Sequence, residues 1–399
     1  MENVYVISAL RTPVGRMGGA LKDVLPEELS RVVLEKVVEI AGIDKALVDE
    51  LIMGQAKQTA DAPNLARVAS LKAGFPIEMP SYTVHRQCAS GLQAIINGVM
   101  QIQTGVSEIV IAGGVESMST APYYVRGARF GFQAGNVELL DPNTESQPKS
   151  QPEEKYGRLV MGMTAENLAE MYGISREEQD LFSFNSHMRA IDAMDSGRFS
   201  EEIVPVHIPR KKGEPLIFDK DEHPRRDTTL EKLANLPSAF RKNGTVTAGN
   251  SSGRNDGAAA VLLMSGKALK RAGVEPLARY ISMGAAGVDP GYMGIGPVPA
   301  TKKALARSGL SLKDMDIVEL NEAFAAQSLA VVKELGLEME TLNVNGGAIA
   351  LGHPLGCSGA RITVTLLHEM RRRNAARGLA TICVAGGLGV AAIFERAQG

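Results

Sequence analysis

The stretch HRQCASGLQAI (His85 to Ile95) places Cys88 after polar residues and directly before a small, Gly-containing entry to an apolar helical pattern. A core cysteine rarely needs that setting, whereas a thiolate does, because a helix N-terminus favours negative charge. Ala89, Ser90 and Gly91 would let a substrate approach closely. A second stretch, GGAIALGHPLGCSG (Gly346 to Gly359), sets His353 between Gly and Pro just before another helix. A helix dipole and an adjacent imidazole are the devices that bring a thiol pKa into a range of about 3.5 to 7.5. The chemistry implied is nucleophilic catalysis through an S-linked intermediate. By pattern alone Cys357, in the Gly-rich helix start, and Cys383, inside the apolar TICVAGG, read as small buried hydrophobes. No cysteines pair at zinc-ligand spacing, and neither AGGVES nor AGGLGV completes a dinucleotide fingerprint. His187, His207, His223 and His368 read as surface or helix residues without a chemical role.

The elements that must position these groups alternate between strand and helix. VYVISA (Val4 to Ala9) is a short β-branched run, the mark of a strand buried on both faces. Leu29, Val33, Val37 and Ile40 recur at helical spacing, with Pro26 near the start of that run and Gly42 just past its end. EIVIAGG (Glu108 to Gly114) and TICVAGG (Thr381 to Gly387) read as further strands, each ending in a Gly pair. The alternation predicts an α/β fold with mainly parallel central strands. An internal repeat is also visible. Gly42–Gly54 parallels Gly309–Asn321, Cys88–Ile95 parallels Gly356–Thr363, and Ile109–Gly114 parallels Ile382–Gly387, all in the same order. Two copies of one βαβ-rich unit, packed as related halves, would bring Cys88 and His353 together at equivalent helix N-termini. Between the copies, roughly Met118 to Gly253, lies an insertion. It holds the Pro-dotted tract DPNTESQPKSQPEEKYG, which suits a loop better than a core, a capping box at Ser175 and Glu178, and the basic PRKK and HPRR.

Composition narrows the class. A chain of 399 residues exceeds one ordinary core, and its 44% hydrophobic and 22% charged content is that of a globular protein. The net charge of −2 offers no footprint for nucleic acid or an anionic membrane, and no apolar run could span a bilayer. Three cysteines argue for a reducing compartment, and MENVYVISAL does not read as a secretory signal, so a cytoplasmic location is expected.

The combination of QCASG, GTVTAGNSSGRNDGAAA, NEAFA, GGAIALGHPLGCSG and CVAGGLG resembles the thiolase family, the acetyl-CoA acetyltransferases and 3-ketoacyl-CoA thiolases. The likeness runs from SALRTPVGRMGG to GVAAIFE, nearly end to end. It implies an α/β fold of duplicated thiolase-type halves in five α-β-α-β-α layers with an inserted loop domain. The implied units are 1–118 plus 254–274, 119–253, and 275–399. It implies Cys88 as the acylated nucleophile, His353 as its activator and as a donor to a thioester oxygen, and Asn321 as holder of a water beside His353. Cys383 becomes the acid/base at the α-carbon of acetyl-CoA, against its core reading. A second oxyanion site would use the backbone N–H groups of Cys88 and Ala385. Claisen chemistry builds charge on a thioester oxygen as enolate and as tetrahedral adduct, so two sets of donors are required.

The resemblance also implies coenzyme A as substrate and product, with no permanently bound cofactor and no metal. Ser252 is expected at its pantetheine, Arg225 at its nucleotide end, and Met161, Phe240, Met293 and Phe324 around the channel. Acyl-CoA is the expected partner, in a homodimer or homotetramer. Three departures stand out. Ala385 replaces a usual Gly and is tolerable there only at negative φ. His85 stands where Asn is common and is expected to support rather than react. Val160 stands where acetoacetyl-CoA-specific members usually carry His, which favours a degradative enzyme of broader acyl range. A decarboxylating ketoacyl synthase would pair its cysteine with two histidines. A catalytically silent CoA-binding module would have lost one of Cys88, Asn321, His353 and Cys383.

Overall fold

The computed structural model describes residues 2–397. Its strands are β1 (Val4–Arg11), β2 (Gly15–Arg16), β3 (Glu50–Gly54), β4 (Ser81–Val84), β5 (Ile109–Ser117), β6 (Val206–Ile208), β7 (Leu216–Phe218), β8 (Asn255–Ser265), β9 (Ala278–Gly287), β10 (Ile317–Leu320), β11 (Arg377–Val384) and β12 (Leu388–Arg396). In the first half the spatial order is β4-β3-β5-β8-β1, and in the second it is β10-β11-β12-β9. A parallel bridge from Val318 to Leu342 adds the missing edge to the second half. The two orders are then the same, so the duplication read from sequence is a duplication of topology. The halves meet where β1 and β9 pair at Tyr5↔Arg279 and Val6↔Ala278.

The expectation of mainly parallel strands is corrected. Parallel pairing is confined to β3–β4, β3–β5 and β10–β11. The later strands of each half fold back, β5 on β8 and β11 on β12, both antiparallel. In the second half that reversal takes only Ala385, Gly386 and Gly387, the two glycines at φ of 88° and 81°. Such values favour Gly in tight turns. In the first half the same reversal spans the whole insertion from Met118 to Arg254. The Gly pairs therefore differ in role. Gly113 and Gly114 lie within β5, which runs on to Ser117, whereas Gly386 and Gly387 end their strand.

Five layers follow from what each sheet face buries. The helices Ser90–Gln103 and Leu355–Arg373 fill one apolar core between the two halves, with Leu92, Ile95, Val99, Ile362 and Leu366 fully buried. Helix Pro26–Ala41 covers the outer face of the first half through Leu29, Val33 and Val37. Ile40, read as part of that apolar stripe, is 56% exposed at the helix end. Helices Pro297–Ser308 and Ala325–Leu335 cover the outer face of the second half.

The middle layer is unusually close. A Cβ on Gly91 would stand 2.8 Å from the Gly356 carbonyl oxygen, and one on Gly359 2.6 Å from the Leu92 nitrogen. Backbone-to-backbone contact at this distance requires glycine. The buried Glu116 carboxylate on β5 then ties the halves, accepting from the backbone N–H groups of Ala56 at 3.0 Å, Lys57 at 3.0 Å and Gly356 at 2.9 Å. Burial raises its pKa and these donors lower it, burial being the larger effect. Gly114→Ala would place a methyl 2.1 Å from the Gly356 oxygen. Overpacking against backbone costs about 1–3 kcal/mol or more, so this variant is expected to melt well below wild type in differential scanning calorimetry. A melting temperature equal to wild type would contradict the close-contact geometry.

Candidate active site

Cys88 sits at the turn between β4 and the helix Ser90–Gln103. The residue before it, Gln87, has φ of 44°, in the left-handed region that non-glycine residues rarely occupy. The turn is held by Ser90, whose hydroxyl accepts from the Arg86 N–H at 2.8 Å and donates to the Gln87 carbonyl at 2.6 Å. This local strain aims the thiol into a cavity rather than into the core. His353, Cys383, Ala385, Ser252, Met161, Phe240, Met293 and Phe324 line the same cavity. The sequence repeat thus does bring Cys88 and His353 to one place. Cys383 is 1% exposed and also reaches it, so the core reading and the resemblance each captured half of its situation.

The imidazole is fixed from behind. Ser358 Oγ lies 2.6 Å from His353 Nδ1 and 3.1 Å from the Pro354 carbonyl. The hydroxyl spends its proton on that carbonyl and accepts from Nδ1–H, which leaves Nε2 bare as a base. Burial, assisted by the Arg361 charge, pushes the His353 pKa down to about 3. The ring is therefore neutral at pH 7.

The sequence expectation for Cys88 is corrected in one respect. Burial raises its pKa, against the lowering effects of the Ala385 N–H, the Lys57 charge and its own N–H. Desolvation outweighs these donors, so the resting group is a thiol. The two backbone N–H groups named for the second oxyanion site, Cys88 and Ala385, both favour the Cys88 thiolate. Ala385 is not among the residues with positive φ, so its Cβ is accommodated. Burial, and then the neighbouring Cys88 charge, hold the Cys383 thiol far above the ordinary range.

Asn321 follows β10 and is fully buried, and its side-chain Oδ1 and Nδ2 have no protein partner. Two buried polar atoms in that condition suit a water. The motifs GNSSG and NEAF run side by side, with Ser252 N–H donating to the Ala323 carbonyl and Ala325 N–H to the Asn250 carbonyl, each at 2.9 Å. Phe240 meets Phe324 edge-on at 6.1 Å. Arg225 lies outside this cavity, in an adjoining depression with His187, His223 and Lys232 that shares Ser251 with it. His187 and His368 lie on helices and are buried, His223 is half-buried, and His207 is exposed. His85 Nε2 lies 3.1 Å from the Ala56 carbonyl, a supporting contact.

Sequence reasoning missed one wall. The tract read as a loop folds into short helical turns at Pro142–Glu145, Pro148–Ser150 and Glu153–Tyr156. Its Asn143, Ser146, Gln147 and Ser150 face the cavity, as does Lys57. The signal available was Asp141, Pro142 and the recurring Pro, which start helical turns; AKQTAD around Lys57 offered none.

Two halves of one topology bring Cys88, a neutral His353 and Cys383 around one cavity, a set of groups suited to acyl transfer. The chain matches the family models for the thiolase N-terminal domain over residues 4–267 and the thiolase C-terminal domain over 274–396. It is 51% identical over 396 residues to an acetyl-CoA acetyltransferase of Pseudomonas aeruginosa, covering 99% of this chain and 100% of that one. A probable acetyl-CoA acyltransferase of Staphylococcus aureus is 48% identical, with the same coverage. Among solved structures, the Bacillus anthracis acetyl-CoA acetyltransferase superposes with a TM-score of 0.97 at 50% identity, covering 100% of this chain and 99% of its own. Human mitochondrial 3-ketoacyl-CoA thiolase in complex with CoA gives 0.94 at 45%, covering 100% and 98%. The chain belongs to the thiolase family and is an acyltransferase.

Because His353 is held near 3 against an ordinary value of 6.5, the unfolded chain binds more protons between those limits. Its contribution to stability is complete above pH 6.5 and is lost as pH falls toward 3, at up to about 1.4 kcal/mol per unit. His353→Asn is expected to flatten the stability–pH curve in that window, measured by thermal melts at successive pH. A slope unchanged from wild type would contradict the buried neutral ring.

Proposed function

We propose that the chain cleaves 3-ketoacyl-CoA with free CoA to give acetyl-CoA and a shortened acyl-CoA, and catalyses the reverse condensation, through S-acyl-Cys88. The observation that carries this reading is the convergence of Cys88, His353, Cys383 and the Ala385 N–H on one cavity. In the degradative direction His353 Nε2 takes the Cys88 proton and the thiolate attacks the 3-keto carbon. The alkoxide forms opposite the Cys88 and Ala385 N–H groups. Its collapse breaks the bond between C2 and C3, and the electron pair goes to the enolate of acetyl-CoA. His353, now protonated, and an Asn321-held water face that oxygen, while Cys383 gives its proton to C2. The incoming CoA thiol then gives its proton to Cys383 and its sulfur takes the acyl group, and the departing Cys88 thiolate recovers its proton from His353.

Burial, and second a Cys88 thiolate, hold Cys383 protonated as an acid. Acylation removes the second of these effects, so Cys383 holds its proton less tightly once Cys88 is acylated. Ser252 and the apolar residues Met161, Phe240, Met293 and Phe324 would hold the pantetheine, and Arg225 in the adjoining depression the nucleotide end. A ketoacyl synthase reading is weaker, because His353 is the one histidine on the cavity among the described residues. All four groups that a silent module would have lost are present.

The same reading divides the chain into 1–118 plus 254–274, 119–253 and 275–399, and places it in the cytoplasm as a homodimer or homotetramer. No helix among the described residues is long and apolar enough to cross a membrane. An association surface for further copies is the arm after β5, where Phe130 is 92% and Leu139 69% exposed. Light scattering on the purified chain is expected to give a multiple of its mass; a monomer at micromolar concentration would refute the oligomer.

CoA-dependent thiolysis across a chain-length series tests the activity. With Val160 beside Met161, turnover is expected to extend beyond acetoacetyl-CoA, and Cys88→Ser to lose at least about 10³-fold in kcat. Intact mass spectrometry should show an acyl adduct on wild type alone. Turnover confined to acetoacetyl-CoA would reverse the chain-length reading, and the absence of any turnover would sink the catalytic one.

A further inference from the structure

Lys57 occupies a place where a positive charge is costly. The residue is 7% exposed and lines the cavity that holds Cys88. Its backbone is pinned by the Glu116 carboxylate at 3.0 Å, so its side chain has one way to go. An ammonium group carries three donors. One reaches Ser146 Oγ, the only side-chain partner recorded for it among the described residues. Glu116 is near but spends its oxygens on the backbone N–H groups of Ala56, Lys57 and Gly356, and no ion pair of the described residues includes Lys57. Burial pushes the Lys57 pKa down, opposed by the charges of Glu116, Cys88 and Asp141. A buried cation without a hydrogen-bonded counter-ion is strongly unfavourable, and the usual remedy is a partner.

The surroundings show where that partner would come from. Gln87, Asn143, Ser146, Gln147 and Ser150 line the cavity with Lys57 and are polar, Met161, Phe240, Met293 and Phe324 supply an apolar part, and Arg254 adds a second cation to the lining. A hydrocarbon acyl tail pressed against the polar wall would leave two ammonium donors unpaired. An anionic tail end would satisfy them with short, charge-assisted hydrogen bonds.

We propose that Lys57 recognises a terminal carboxylate on the acyl chain, so that the preferred substrates are CoA thioesters of 3-keto dicarboxylic acids. The proposal rests on the thiolase reading of the same cavity. It makes Lys57 a specificity-determining residue. The alternative role, stabilising the Cys88 thiolate, would help every substrate equally.

The test compares kcat/KM of the full-length enzyme for 3-oxohexanoyl-CoA and 3-oxoadipyl-CoA, which share a six-carbon acyl chain and differ in the terminal carboxylate, and for longer pairs. Wild type is expected to favour the carboxylate member of at least one pair. Lys57→Met should lower that preference by about 10- to 100-fold, the worth of a charged hydrogen bond, and Lys57→Arg should restore part of it. Wild-type turnover of neutral substrates with no carboxylate preference in any pair overturns the proposal and leaves the thiolase reading intact. An equal loss on both members in Lys57→Met assigns the charge to Cys88 and also overturns it. Inactivity of wild type on every substrate removes the reading beneath it.

Discussion

The structure depends on the contact between two helix N-termini, one from each half. A Cβ on Gly91 would collide with the Gly356 carbonyl, one on Gly356 would collide with the backbone of Gln55 and Val115, and Glu116 accepts from the Gly356 N–H. Cys88 lies just before one helix and His353 just before the other. Their separation is therefore set by backbone packing rather than by flexible side chains. Catalytic geometry of this kind tolerates displacement poorly, since errors near 1 Å can cost about 10²-fold in rate. Small residues in the motifs QCASG and GHPLGCSG serve that approach, and reactivity is left to Cys88 and His353.

What was legible in the sequence follows from what is local. The helix Pro26–Ala41 matches its predicted Pro and Gly boundaries because both are backbone effects of single residues. The capping box at Ser175 and Glu178 forms as read, for the same reason. The repeat was legible because duplicated topology keeps the order of its elements. Strand direction was missed because the second Gly pair read as a strand end rather than as a turn: the three residues between β11 and β12 are too few for a parallel crossover, whereas the long insertion between β5 and β8 states no direction. The polar tract was misread as loop because each of its helical turns is only three or four residues long, too short for a hydrophobic period.

The site shows the same division. Cys88 announced itself through its neighbours, and His353 through the repeat. Cys383 could not, since an apolar strand hides whether a residue near its end faces a core or a cavity, and the thiolase resemblance supplied that role. Lys57 was invisible because nothing local marks a lysine whose charge will be buried. Its position depends on Glu116, distant in sequence and adjacent in space.

Burial explains why the chemistry needs two thiols and a neutral imidazole rather than a resting ion pair. Desolvation is the largest effect on both cysteines and on His353, raising the thiols and lowering the imidazole. The resting state therefore carries little charge on its reacting groups, and charge appears only as bonds change. When it appears it is met by donors already in place, the N–H groups of Cys88 and Ala385 on one side and His353 on the other. Preorganised donors in a dry site stabilise such charge far better than water does, because they need not reorient. Burial raises both cysteines and a charge on Cys88 raises Cys383 further, so the two thiols resist ionising together.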